Sequence, residues 1–164
     1  MPRPSHRIDL LLLPADRSVT PDASAFDALK REWTAEGRIG PGAERDGLVQ
    51  GGFRRLWLDL PGRLTLYANQ QGGYYVRCPV CRAGIALAFS EAVQGWRRGG
   101  AFGLSCPACG AEHPLDAVTL APPGAFALGA VVLSNVASLD LAADVHQRLR
   151  PVLGEIREIV RRVA

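Results

Sequence analysis

Residues 78–110 read CPVCRAGIALAFSEAVQGWRRGGAFGLSCPACG, and all four cysteines of the chain lie within them. They fall as Cys78-Pro-Val-Cys81 and Cys106-Pro-Ala-Cys109, two C-x2-C pairs with 24 residues between. A two-residue gap lets one tight turn aim two thiolates and several backbone N–H groups at one point, and two such turns complete a tetrahedral sulfur shell. A reducing compartment keeps thiols free for this purpose and disfavours structural disulfides. The pattern therefore points to one metal ion on Cys78, Cys81, Cys106 and Cys109. A shell of four thiolates leaves no open position for water, so the same pattern speaks for a structural rather than a catalytic metal.

In these residues the chain resembles the zinc-ribbon superfamily. Both pairs match its Cys-Pro-x-Cys knuckles, and Gly110 follows the second pair where the knuckle usually carries glycine, whereas Arg82 stands at that place in the first. The resemblance covers about residues 76–115 and implies structural Zn2+ on the four cysteines. Two other readings of the same residues stay open. Rubredoxin-like iron also accepts four thiolates and shares the Cys-Pro-x-Cys-Gly form. A thiol redox site would use Cys78 and Cys81 alone, placed after a strand and opening a helix, and would leave the second pair without a role.

Outward from the cysteines, the spacer predicts a helix around Ser90–Trp96 with Ser90 as its cap, then Gly99-Gly100 and a strand returning to Cys106. Before the cysteines, residues 53–77 predict a three-strand meander. Leu56, Leu58 and Leu60 alternate in its first strand, and Leu64, Leu66 and Ala68 in its second. A three-residue loop, Pro61 to Arg63, would pair Leu58 with Leu66 and keep both apolar sets on one face. Further out, Ile8 to Leu13 is a nearly continuous apolar run and predicts a strand buried on both faces. Thr20-Pro21-Asp22 opens a helix, with Phe26, Leu29 and Trp33 as its apolar stripe and Gly37 at its end. Residues 37–52 predict a loop.

After the cysteines, Pro122-Pro123-Gly124 precedes Ala125 to Leu133, which predicts a second fully apolar strand. Ser138 then caps a long amphipathic helix running from Leu141 to Val163, kinked or restarted at Pro151. Beyond Pro151, Val152, Ile156, Ile159 and Val163 would overhang the domain and offer a strip for a two-fold homodimer. The fold class expected is α+β, a single mixed sheet with helices on one face and an inserted zinc ribbon. The core domain would comprise 1–77 and 121–164, and the ribbon module 78–120.

Three surfaces outside the cysteines are candidates. Arg55, Trp57, Tyr67, Tyr75 and Arg77 would share the outward face of the meander, where another protein surface or single-stranded bases could cover them. Trp96-Arg97-Arg98-Gly99-Gly100 is either a nucleic-acid-contacting tip or a solvated loop with Trp96 anchored in the ribbon. If the two apolar strands are parallel neighbours, Asp16, Arg17, Ser18, Ser134 and Asn135 would meet in a crevice at their C-terminal ends, a place for a small-molecule site. His113 lies four residues past Cys109 and is placed beside the metal rather than on it. His6 and His146 have no partner identifiable from sequence.

Composition sets the outer limits. The 164 residues are 48% apolar and 21% charged with a net charge of +3, which excludes a disordered chain, a coiled coil and a dedicated polycation as the main description. Eighteen arginines stand against one lysine, Lys30, a bias of GC-rich bacterial coding rather than of phosphate binding. The apolar stretch at Leu10–Leu13 is too short for a secretory signal, and no run approaches the ~20 residues of a membrane span. The expectation is a cytoplasmic zinc-binding protein, not an enzyme, acting as an interaction or adaptor module. A protein partner or second copy stands first, and nucleic acid second. An enzyme using the strand-end crevice is the third option.

Overall fold

The computed structural model describes residues 6–40 and 47–164. In chain order its elements are β1 (Arg7–Pro14), α1 (Ala23–Ala35), β2 (Arg55–Asp59), β3 (Thr65–Tyr67), β4 (Tyr75–Arg77), α2 (Ala86–Arg97), β5 (Gly103–Ser105), β6 (Glu112–Pro114), β7 (Thr119–Ala121), β8 (Ala125–Ala127), β9 (Ala130–Ser134), α3 (Val145–Leu153) and β10 (Ile156–Val163), with one 3-10 turn at Leu115–Ala117. The chain is α+β, but the expected single mixed sheet is not found. One four-stranded sheet, β10-β1-β9-β2, is joined by three two-stranded sheets, β3-β8, β4-β7 and β5-β6. Each of these pairings is antiparallel.

The apolar run in β1 does bury both faces. Leu10 and Leu12 point to one side of the sheet with Val131 and Leu133, and there they meet Phe26, Leu29 and Trp33 of α1 and Val145, Leu149 and Val152 of α3. Leu11 and Leu13 point to the other side, against Tyr67, Ala125, Ala127 and Ile159. Each such leucine, fully withdrawn from water, contributes about 1.5–3 kcal/mol. Asp22, not Thr20, caps α1, accepting the Ala25 N–H at 3.0 Å. Gly37 ends that helix with φ +73°.

The pair β3-β8 is a layer shared by two cores. Leu66 and Phe126 are directly opposed and face the core around the cysteines. Their neighbours Tyr67, Ala125 and Ala127 face the large sheet. The Tyr67 hydroxyl reaches back to Asp59 at 2.7 Å, and Asn69 accepts the Arg162 N–H at 2.7 Å. An Arg17–Asp116 ion pair, with Arg17 over the Phe102 ring at 4.6 Å, closes the junction on its other side.

Three further expectations are corrected. The meander does not form: β2, β3 and β4 pair with β9, β8 and β7 respectively, so Leu58 lies opposite Val131 rather than Leu66. The pairs are nested, one interrupted antiparallel ladder leading from the sheet out to the cysteines. The stretch from Ala125 to Leu133 is two strands in different sheets, broken between Ala127 and Ala130. The expected loop at 37–52 lies partly outside the described residues; its described part forms no helix or strand, and Leu48 and Val49 within it are buried, Val49 bridging Leu141.

The long C-terminal helix is the largest correction. Ser138 does not cap it; α3 begins at Val145 and stops at Gly154, whose φ of 69° with ψ of −142° suits glycine alone. Residues from Ile156 onward form β10, paired with β1 from Pro14↔Ile156 to Arg7↔Val163. Ile156 and Val160 face the helices while Ile159 faces the opposite side. Burial on both faces spaces apolar residues by three and four, which imitates a helical stripe. The helical overhang that would have carried a dimer is therefore absent. No helix among the described residues is long and apolar enough to cross a membrane.

Candidate metal centre

The first knuckle sits at the end of β4, whose Arg77 bridges Gly84 while the Ile85 N–H donates to Val76 C=O at 2.9 Å. The second sits at the tip of the β5-β6 hairpin, after the Ser105↔Glu112 pair. Both turns are drawn by the same bonds. Cys78 N–H donates to Ala83 C=O and Arg82 N–H returns to Cys78 C=O, both at 3.0 Å. Cys106 N–H donates to Ala111 C=O and Gly110 N–H returns to Cys106 C=O, both at 2.8 Å. The return residue is left-handed in each, φ 63° at Arg82 and 76° at Gly110. Glycine adopts this freely, whereas a residue with a Cβ loses about 1–2 kcal/mol there.

The four cysteine sulfurs all lie within 4.8 Å of one another. Cys78 and Cys109 Sγ are 3.9 Å apart, and Cys81 and Cys106 Sγ 3.7 Å. Four thiolates tetrahedrally placed at about 2.3 Å from a metal ion have edges of about 3.8 Å. The donor set thus fits a tetrahedral thiolate site. Cys78 and Cys106 are buried, and Cys81 and Cys109 are exposed. Behind them Ile85, Phe89, Val93 and Leu115 form the apolar floor. Trp96 and Phe102 meet Phe126 edge-on, with ring centroids 5.6 and 5.0 Å away.

Backbone N–H groups favour ionisation of the first cysteine of each knuckle. N–H groups of Cys109 and then Ala108 bring Cys106 down to about 7. The N–H groups of Cys81 and Val80 and the His113 ring lower Cys78. At Cys81 the Ala83 N–H works the same way, but burial and the other three sulfurs push the thiol up to about 11. Four clustered thiols cannot all ionise against one another; a bound cation removes that repulsion and deprotonates its ligands outright.

His113 Nε2 stands 4.0 Å from Cys78 Sγ, and its Nδ1 lies 3.3 Å from Pro114 C=O, which places the ring beside the sulfur shell and outside it. The redox arrangement is not met, since the chain does not enter a helix at Cys78–Cys81; α2 begins at Ala86. That helix is also longer than expected, and Ser90 lies inside it rather than at its cap. Trp96 is anchored in the apolar core, leaving Arg97 and Arg98 at the exposed end of α2.

The other candidates are dispersed. Trp57 lies in the large sheet under Arg55, Tyr67 is buried, and only Tyr75 and Arg77 share an exposed face. The crevice does not exist: β1 and β9 are neighbours but antiparallel, so Asp16, Arg17 and Ser18 lie at the opposite end of the sheet from Ser134 and Asn135. The Asn135 N–H donates instead to Asp9 at 3.0 Å, near the start of β1. His146 pairs with Glu158 at 2.6 Å, while His6 is exposed. The sequence reading passed over the exposed Val80 and Leu87. Placing Phe89 and Val93 on the buried side of a helix that starts at Ala86 turns Leu87 to solvent, and that signal was available. No family model, no curated protein and no solved structure matches this chain.

Proposed function

We propose that this chain is a zinc-binding protein whose four-cysteine ribbon is structural and serves macromolecular recognition, as a protein-interaction or adaptor module rather than an enzyme. The tetrahedral spacing of the four sulfurs, reached by two knuckles with the same hydrogen bonds, carries the reading. The ligands are Cys78, Cys81, Cys106 and Cys109, and their closed shell suits a metal that holds structure. Residues 78–120 then act as a module inserted in a core of 1–77 and 121–164, with Leu66, Val76 and Phe126 of the flanking segments completing its apolar interior. Elemental analysis of purified protein tests the metal. One zinc per chain supports the reading, a red iron-loaded sample assigns iron, and freely titratable thiols without metal overturn both. Binding to single-stranded and duplex nucleic acid over a salt series tests the partner class, because phosphate contacts weaken steeply with salt. Tight, salt-sensitive binding there would replace the protein partner by nucleic acid.

A further inference from the structure

We propose that the cavity where the large sheet meets the ribbon side binds a small carboxylate, an ionised acid with a short alkyl chain. The site is separate from the metal centre and does not rest on the recognition reading above. The cavity measures about 100 Å3 and is lined by Arg17, Leu115, Asp116, Ala125, Phe126 and Arg157 among others. Small-molecule sites favour such junctions, and this one is well short of the roughly 300 Å3 at which drug-sized ligands are held, so its occupant is small. Arg17 and Arg157 are exposed and form the rim, while Leu115, Ala125 and Phe126 are buried and form the floor. Separate stretches of chain supply the charges. Arg17 follows β1, and its guanidinium lies over the Phe102 ring at 4.6 Å. Arg157 stands opposite Leu13 in β10, so it leaves the sheet on the side of Ile159, toward the β3-β8 layer. Asp116 belongs to the 3-10 turn at Leu115–Ala117.

Charge and lining together set the ligand class. Two arginines and one aspartate line the cavity, a net charge of +1. Arg17 is paired with Asp116, which leaves the excess on Arg157. The nearest carboxylates along the chain are engaged elsewhere: Asp16 accepts from Ser18, and Glu155 pairs with Arg150. The sulfur shell, negative even around a divalent ion, is set apart by β5. Phe102, under Arg17, and Cys106 lie about 13 Å apart along that extended strand, beyond the ~8 Å Debye length at physiological salt. One positive charge above an apolar floor suits a group with one negative charge and an apolar body. A carboxylate takes the Arg157 guanidinium as a two-bonded fork, and its alkyl chain covers Ala125 and Phe126. A phosphate monoester would bring nearly two negative charges to the side of Asp116, and that repulsion disfavours it.

Titration of the full zinc-loaded chain with butyrate, followed by amide nitrogen–proton chemical shifts, tests this. The amides of Asp116 and Ala125 should shift and saturate, with half-saturation on the order of 1 mM. Butyramide, which has the same shape and no charge, and inorganic phosphate should each bind at least about tenfold more weakly. Arg157→Gln should weaken butyrate at least about tenfold with the rest of the spectrum unchanged. Arg98→Gln, at the exposed end of α2, should leave binding as it was. Should Arg157→Gln disturb the fold, Arg157→Lys takes its place; it keeps the charge, loses the fork, and should still bind more weakly. No saturable shift at about 50 mM butyrate, or the same shifts from chloride at equal ionic strength, would overturn the proposal. So would butyrate binding indifferent to the Arg157 substitutions. Tighter binding of phosphate than of butyrate would overturn the carboxylate class and assign the cavity to phosphate.

Discussion

In the large sheet, β1 is eight residues long and pairs over its whole length with β10, while every strand that carries the cysteines toward one another is three residues long. Leu10 to Leu13 are completely buried between two layers. Around the knuckles, two-stranded sheets of that size are below what stands alone in water. Apolar packing suffices for the first region. The second combines a small aromatic core with a sulfur shell whose thiolates would repel one another unless a cation is present. One chain thus contains a region that folding alone can hold and, on the proposed zinc reading, a region that folding shares with a metal.

The largest expected effect breaks the second region and spares the first. Structural zinc contributes on the order of 10–16 kcal/mol in small peptides, comparable with the net stability of a domain. Cys106→Ser should lose its zinc by elemental analysis and unfold residues around the knuckles, with the far-ultraviolet signal of the sheet and of α1 and α3 retained. The reciprocal test is Trp33→Ala. Trp33 is fully buried between α1 and the sheet, and its removal should cost about 3–5 kcal/mol in denaturant unfolding while zinc stays bound. Loss of zinc in step with that destabilisation would make the two regions one cooperative unit.

A finer comparison lies between the knuckles. Arg82 and Gly110 hold the same left-handed position, so substitutions there should have opposite signs. Gly110→Ala, whose new methyl group meets nothing within 4 Å, should cost about 1 kcal/mol through backbone strain alone. Arg82→Gly should add up to about 1 kcal/mol. Thermal unfolding of the zinc-loaded protein reads both.

The smallest effect belongs to the helices that cover the sheet, α1 and α3. Bidentate bonds from Arg38 to Asp144, and bonds from Arg148 to Glu36, hold both carboxyls below their ordinary range. The native state therefore keeps them charged where the unfolded chain takes up protons. The stability they add is complete above the unfolded carboxylate value of about 4 and is lost as pH falls through the lower native values. Asp144 is 44% exposed, so solvent screening limits its share to about 1 kcal/mol or less. Asp144→Asn should flatten the acid limb of a stability–pH curve between about pH 5 and 2 without changing zinc content.

What the sequence made legible follows the range of the interactions. The C-x2-C turns, the stripe of α1 and the two-sided burial of β1 are local signals, and each is found. Strand existence at 55–59, 65–67 and 75–77 was also legible from alternation. Their partners were not, because β9, β8 and β7 arrive only after the cysteine segment, and a short loop at Pro61 offered a nearer pairing. The end of the chain failed for a different reason. Ile156, Ile159 and Val160 serve two cores on opposite faces of one strand, and spacing alone does not separate that from a helix. Gly154 was the local signal that decided it.

Hydrogen–deuterium exchange of the zinc-loaded and the chelator-stripped protein compares the two regions in one experiment. Amides within 78–114 should lose protection on stripping while those of Leu10–Leu13 and Val131–Leu133 keep theirs. Protection lost together in both regions, or retained around the knuckles without metal, would contradict the division of labour described here.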